Sequence, residues 1–179
     1  SYLANGANNG TSWADAFTNL QAALTAANTC PVAEIWVAKG IYYPDEGGSF
    51  ANNDRNAAFT MRKALAIYGG FVGDEAANYD LALRNFVTNE TILSGDLDQN
   101  DGINFANNGG NAYHVIYNNT NGLRNDARLD GFTVSGGNAN GSGTSDKLGG
   151  GMYGNLVSPT VINCVFTGNA AYNGGGMYI

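Results

Sequence analysis

Gly149-Gly150-Gly151-Met152-Tyr153 and Gly174-Gly175-Gly176-Met177-Tyr178 are the same pentapeptide, GGGMY, 25 positions apart. The chain holds three methionines, and two of them sit in these copies. The residues ahead of each copy also correspond. Phe132-Thr133-Val134-Ser135-Gly136-Gly137-Asn138 precedes the first, and Cys164-Val165-Phe166-Thr167-Gly168-Asn169 precedes the second. Each unit reads as a strand, a Gly/Asn turn, a loop and a Gly-rich strand. Recurrence on this scale without a helix inside the repeat is the mark of a β-solenoid, in which each coil stacks on the last. Like residues then fall over like residues, ~4.8 Å apart. The glycines predict a sharp corner where neighbouring coils approach closely. Alternation along the strand puts Met152 over Met177 inside and Tyr153 over Tyr178 outside.

Working back towards the N-terminus, Val115, Ile92 and Ile67 continue a rough spacing of the same size. Short strand-like runs contain them, such as EIWVAKGIYY, ETILSGDL and AYHVIYNN. Gly, Asn and Asp clusters separate the runs and predict turns; the longest loops fall at 44–57, 73–90, 98–111 and 138–148. From Ile35 to Ile179 this gives about six coils of ~24 residues. Only residues 12–28 read as a helix. Trp13, Ala16, Phe17, Leu20, Ala23, Leu24 and Ala27 share one face, Thr11 or Ser12 suits the N-cap, and Asp15 the first turn. The expected organisation is a single domain over 1–179, with the helix at 12–28 and coils over 35–179, belonging to a longer chain.

Composition narrows the class. With 44% hydrophobic residues the chain is not a disordered one, and 26 glycines against 3 prolines fit a fold of many tight turns. A net charge of −7 argues against nucleic acid or an anionic membrane surface as partner. No run is apolar enough for membrane insertion. Cys30 follows the helix and Cys164 lies in the last coil, roughly 20 Å away if several rungs at ~4.8 Å intervene, so no bond joins them.

GANNGTSWADAFTNLQAAL, EIWVAKGIYYP, AIYGGFVG, TILSGDLDQNDG, AYHVIYN and LDGFTVSGGNANG resemble bacterial secreted proteins of the right-handed parallel β-helix, or pectate-lyase-like, superfold. The NCVFTGNAA…GGGMY units resemble the short repeats of polymorphic outer-membrane proteins. The resemblance implies an all-β, right-handed parallel β-helix with an N-terminal capping α-helix, secreted or held at the cell surface. It also implies that Trp13, Phe17, Leu20 and Leu24 of the helix cover the first coil. The superfold hosts lyases, glycosidases and adhesins alike, so it does not select a function.

No catalytic set emerges from the residues. His114 is the only histidine, and alternation places it on one face with Ile116, opposite Tyr113, Val115 and Tyr117, where it is packed or hydrogen-bonded. A lyase would join Arg128 and Asp130 to the carboxylates of Gly95–Gly102, but nothing shows that they face one another. In that segment Asp96, Asp98, Asn100 and Asp101 set hard oxygen donors before a glycine, as a Ca²⁺ loop does. It departs from an EF-hand, because Gly102 comes one place late and Asn107 stands at the twelfth position; the alternative is a solvated Asx-rich turn. Outward tyrosines among Tyr42, Tyr43, Tyr68, Tyr113, Tyr117, Tyr153 and Tyr178 suit either glycan rings or ladder stabilisation. Asn9, Asn89, Asn118 and Asn140 begin glycosylation sequons. The reading is an extracellular structural or adhesive module, such as a stalk, matrix or filament component. The alternative is a carbohydrate-active domain, a Ca²⁺-assisted lyase or a glycan binder. The last rung, built from Val165, Phe166, Met177 and Ile179, is expected to be open and to meet further coils or a second subunit.

Overall fold

A computed structural model describes residues 4–30 and 32–179. Among these residues the fold is mostly strand, with a single α-helix and parallel pairing throughout. The first pass along the sheets is β1 (Glu34–Ala38) and β2 (Gly40–Tyr42). The second is β3 (Ala66–Phe71), β4 (Thr91–Ser94) and β5 (Ile116–Asn119). The third is β6 (Arg128–Asp130), β7 (Thr133–Ser135), β8 (Asn138–Ala139) and β9 (Met152–Asn155). The fourth is β10 (Thr160–Ile162), β11 (Val165–Thr167), β12 (Ala170–Ala171) and β13 (Met177–Tyr178). The sheets run β1-β3-β6-β10, β2-β4-β7-β11, β5-β9-β13 and β8-β12, so every pass adds one strand to each sheet it visits.

Register explains why these residues form strands together. Ile35 pairs with Ile67, Ile67 with Leu129, and Leu129 with Val161. Ile116 pairs with Met152, and Met152 with Met177; Tyr117, Tyr153 and Tyr178 pair in the same way one residue on. Ile67, Val115, Ile116, Leu129 and Met152 are all buried in one core, where Ile35, Val161 and Met177 also pack. The GGGMY copies therefore lie in register as expected, with the methionines on the core side and the tyrosines on the opposite face, where Tyr178 is exposed but Tyr153 is buried. Gly149 and Gly174 both adopt φ +65, which favours glycine. A β-carbon on Gly151 would lie 2.5 Å from the Gly176 carbonyl oxygen and 2.8 Å from Asn169 Nδ2. The triplet thus serves both a turn and a close approach.

Two expectations are corrected. The sheets are four strands deep at most, not six coils of ~24 residues. Ile35 and Ile67 are 32 positions apart, but Ile67 and Leu129 are 62 apart. The long loops after β3 and β4 lie inside the second pass and lengthen it. For the same reason Ile67, Ile92 and Val115 belong to three sides of one pass, not to three successive passes.

The helix α1 spans Leu20–Thr29, starting eight residues later than expected. Its N-cap is Asn19, whose side chain accepts the Ala22 N–H at 2.9 Å. Asp15 is engaged elsewhere: its carboxylate accepts from Ala7 N–H and the Ser12 hydroxyl, and its carbonyl from Asn9 and Gly10 N–H. Those bonds hold a loop, so the helical spacing upstream of Asn19 is not realised as helix. Leu20 and Leu24 are nonetheless buried in the core. Trp13 packs from the loop, 5.7 Å from the Phe71 ring and 6.5 Å from Trp36. Buried Gln21 ties α1 to the first pass by donating to the Pro44 and Ala58 carbonyls.

The other end differs. β10, β11, β12 and β13 each lie at the edge of their sheet. Val165 and Ile179 are exposed, while Phe166 and Met177 are half-buried.

Candidate functional site

The Gly95–Gly102 loop leaves β4 and closes on itself. Asp96 accepts the N–H groups of Asn100 at 3.1 Å and Asp101 at 3.3 Å. Asp98 accepts from the Asn100 side-chain amide at 2.8 Å. Asp101 accepts from the amide of Asn111 at 2.7 Å, and buried Asn111 donates also to the Gly136 carbonyl. These bonds form an Asx-rich turn network that engages both oxygens of Asp96 and one each of Asp98 and Asp101. Burial raises the Asp101 carboxyl above the usual range against the opposing Asn111 bond, and the charges of Asp96 and Asp98 raise it further. Among the described residues no three His, Cys, Asp or Glu side chains are grouped so as to hold a metal ion.

Sequence reasoning missed two neighbours of this loop. Gly40–Tyr42 pairs with Thr91–Leu93, which carries the residues after β2 alongside those after β4. The Tyr43 hydroxyl is raised first by burial and then by Asp96, Glu46 and Asp45. Asp45 and Glu46 thus join the acidic edge, although some fifty positions separate them from Asp96. Only the strand register could have revealed it. Asp45 is itself buried and accepts the Asn53 N–H at 2.8 Å.

Arg128 and Asp130 do not meet that cluster. They lie in β6, in a different sheet from β4. Asp130 is buried and saturated: Arg84 pairs with it at 3.1 Å, Arg128 approaches at 3.7 Å, and the Asn163 amide donates at 2.8 Å. Arg84 was not foreseen. Its guanidinium lies 4.8 Å from the Tyr68 ring centre and 5.0 Å from that of Phe86, and it donates to the Gly69 and Asp130 carbonyls. A buried ion pair with these bonds pins the 73–90 loop to the sheet.

His114 is buried and hydrogen-bonded, as expected, with Nδ1 3.0 Å from the Gly149 carbonyl oxygen. Its face is not the expected one. Val115 and Ile116 are both in the core, because the regular strand starts only at Ile116 and alternation fails before it. His114 instead packs on Tyr117 and Tyr153, with ring centres at 5.2 and 5.4 Å. Burial lowers its pKa, opposed by the Gly149 bond and by Asp146. Nε2 is buried without a hydrogen-bond partner, and Nδ1 faces the Gly149 carbonyl.

Tyr117, Tyr153 and Tyr178 stack face to face, at 5.2 Å and 16° and then 6.1 Å and 3°. Rings stacked on one another offer their edges to solvent, and only the outer face of Tyr178 is unmatched. The ladder stabilises the strands. Tyr42 points inward, with its hydroxyl bonded to the Ala38 carbonyl. Tyr113 lies under the Arg55 guanidinium at 4.2 Å. The sequon residue Asn118 is fully buried and accepts the Met61 N–H. Cys30 and Cys164 are both free thiols.

A cavity of about 500 Å³ is the seam between α1 with its preceding loop and β1, lined by Trp13, Phe17, Leu20, Ile35 and Trp36 among others. Among the described residues no helix is long and apolar enough to cross a membrane. Compared with protein-family models, curated proteins and solved structures, the chain matches none of them.

Proposed function

We propose that the chain is a right-handed parallel β-helix of the pectate-lyase-like kind, with repeats of the polymorphic-outer-membrane-protein type, and that it serves as a non-catalytic structural or adhesive module outside a bacterial cell. Its role is that of a stalk, matrix or filament component. One observation carries the reading: like residues stack in register through successive parallel strands, Ile116 on Met152 on Met177 and Tyr117 on Tyr153 on Tyr178. Such ladders stiffen a fold along one axis. The acid–base side chains are engaged in the same task, Asp130 with Arg84 and His114 in the aromatic wall.

The end formed by β10 to β13 docks more protein, either further coils or a second copy, because α1 covers the opposite end while these edges are unpaired among the described residues. Sedimentation across a concentration series tests this. The chain is expected to associate as concentration rises, and Val165→Lys, at an exposed position on the edge, to stay monomeric. A monomer at every concentration contradicts docking between copies. A second reading, a Ca²⁺-assisted carbohydrate-active domain, is favoured by the local run of Asp96, Asp98 and Asp101, where the first two raise the Asp101 carboxyl. Release of unsaturated sugar ends that needs Ca²⁺ and is lost in Arg128→Ala would establish it in place of the first.

A further inference from the structure

We infer that a second cavity, at the end covered by α1, binds a small oxyanion. The cavity measures about 440 Å³ and lies between the last turn of α1, the 60–65 turn and the 121–123 segment. That is within the ~300–1,000 Å³ of small-molecule sites. Arg62 and Lys63 line it, and among the described residues no Asp or Glu does. In a chain with 15 acidic and 8 basic residues, two adjacent cations without a counter-charge stand out. Three other arginines are engaged, Arg84 and Arg128 with Asp130 and Arg55 with the Asn111 and Asn138 carbonyls, while Arg124 forms no ion pair among the described residues. Among the described residues Arg62 and Lys63 form no ion pair.

Arg62 Nε is closed off from solvent and has no hydrogen-bond acceptor. A guanidinium in that state is one acceptor short, and because Nε itself is closed to solvent, an oxyanion meets the remaining N–H groups of the fork, or Nε once the side chain turns, through charge-assisted bonds. Ala64 adopts φ +55 in the turn that presents both cations, a conformation a β-carbon disfavours and that the surrounding structure must enforce. Asn28 and Thr60 add neutral polar groups to the wall. The C-terminal end of α1 lies beside them, and its partial negative charge opposes an anion there, so Arg62 and Lys63 must outweigh it. The same dipole supplies the competing explanation, in which Arg62 and Lys63 do no more than complement the helix end.

Side-chain NMR on ¹⁵N-labelled protein separates the two. Sodium sulfate, phosphate, acetate and chloride are titrated at matched ionic strength while the Arg62 Nε–H signal and the Lys63 and Ala64 amides are followed. The expected result is a saturable shift with an oxyanion and none with chloride. A response to sulfate and phosphate identifies a tetrahedral ligand group, and one to acetate a carboxylate. Arg62→Gln should weaken binding at least about tenfold, and Lys147→Gln, outside the cavity, should leave it unchanged. Should Arg62→Gln fail to fold, Lys63→Gln replaces it, with about threefold weaker binding expected from loss of one exposed charge. Equal, non-saturating shifts with all four salts, or full affinity in the arginine variant, would overturn the proposal in favour of the helix-end role.

Discussion

Truncating Met152 to alanine, and separately Met177 to alanine, distinguishes a closed rung from an open one. Met152 is fully buried, between Ile116 on one side and Met177 on the other. Losing a buried methionine side chain forfeits its transfer energy and leaves a cavity that the flanking strands cannot close, about 2–5 kcal/mol together. The site is held on both sides, so ~3–4 kcal/mol is expected for Met152→Ala. Met177 is half-buried and has Met152 on one side only, at a sheet edge. About half the transfer energy is at stake there, and the space left fills with water instead of becoming a cavity, which puts Met177→Ala near ~1 kcal/mol. Urea unfolding followed by circular dichroism, at a protein concentration low enough to avoid association, gives both values. A Met177→Ala loss as large as that of Met152→Ala would refute the open rung. A Met152→Ala loss below ~1 kcal/mol would refute the stacked core.

Gly151→Ala should cost ~1–3 kcal/mol or more, because the new carbon meets backbone oxygen and the Asn169 amide, whereas Gly109→Ala, with nothing within 4 Å, should be close to neutral in thermal melts. Arg84→Ala strands the Asp130 carboxylate in a buried site and should cost ~3–5 kcal/mol; adding Asp130→Ala should recover part of that loss in a double-mutant cycle. His114 has a folded pKa below its ordinary value of 6.5, so below that pH the unfolded chain binds more protons than the folded one. Stability should therefore be level with respect to His114 above about pH 6.5, and fall as pH drops from there through the folded pKa. Melts of His114→Gln should lack that component, and an unchanged pH profile would sink it.

Much of the fold was legible because one motif is both rare and repeated. Two of three methionines recurring in GGGMY aligned Met152 with Met177 residue for residue, and of the two placements that alternation allows, the one with methionine inside is the more apolar. The number of passes was not legible. Residues 73–90 and 98–111 carry the same Gly, Asn and Asp signals as the turns between passes, so loop and coil look alike in the chain. The helix start failed for a related reason: apolar spacing ran on to Trp13, but Asp15 and Ser12 hydrogen-bond locally into a loop. At the candidate site, Asp96, Asp98, Asn100 and Asp101 were visible as a local run. Asp45 and Glu46 reach that edge only through the β2–β4 register, and Arg84 reaches Asp130 only through a long loop. Neither leaves a trace in local spacing.

The most direct measurement is disulfide mapping of the register in a Cys30→Ser, Cys164→Ser background. With Tyr153→Cys and Tyr178→Cys together, the two positions pair directly on adjacent parallel strands, near the ~5.5 Å Cα separation that a disulfide favours. Mild oxidation should link them within one chain, as peptide mass mapping would show. Tyr153→Cys with Met177→Cys should remain reduced, because those side chains point to opposite faces of the sheet. Linkage of the second pair in preference to the first, or of neither, would contradict the in-register stacking of the GGGMY strands.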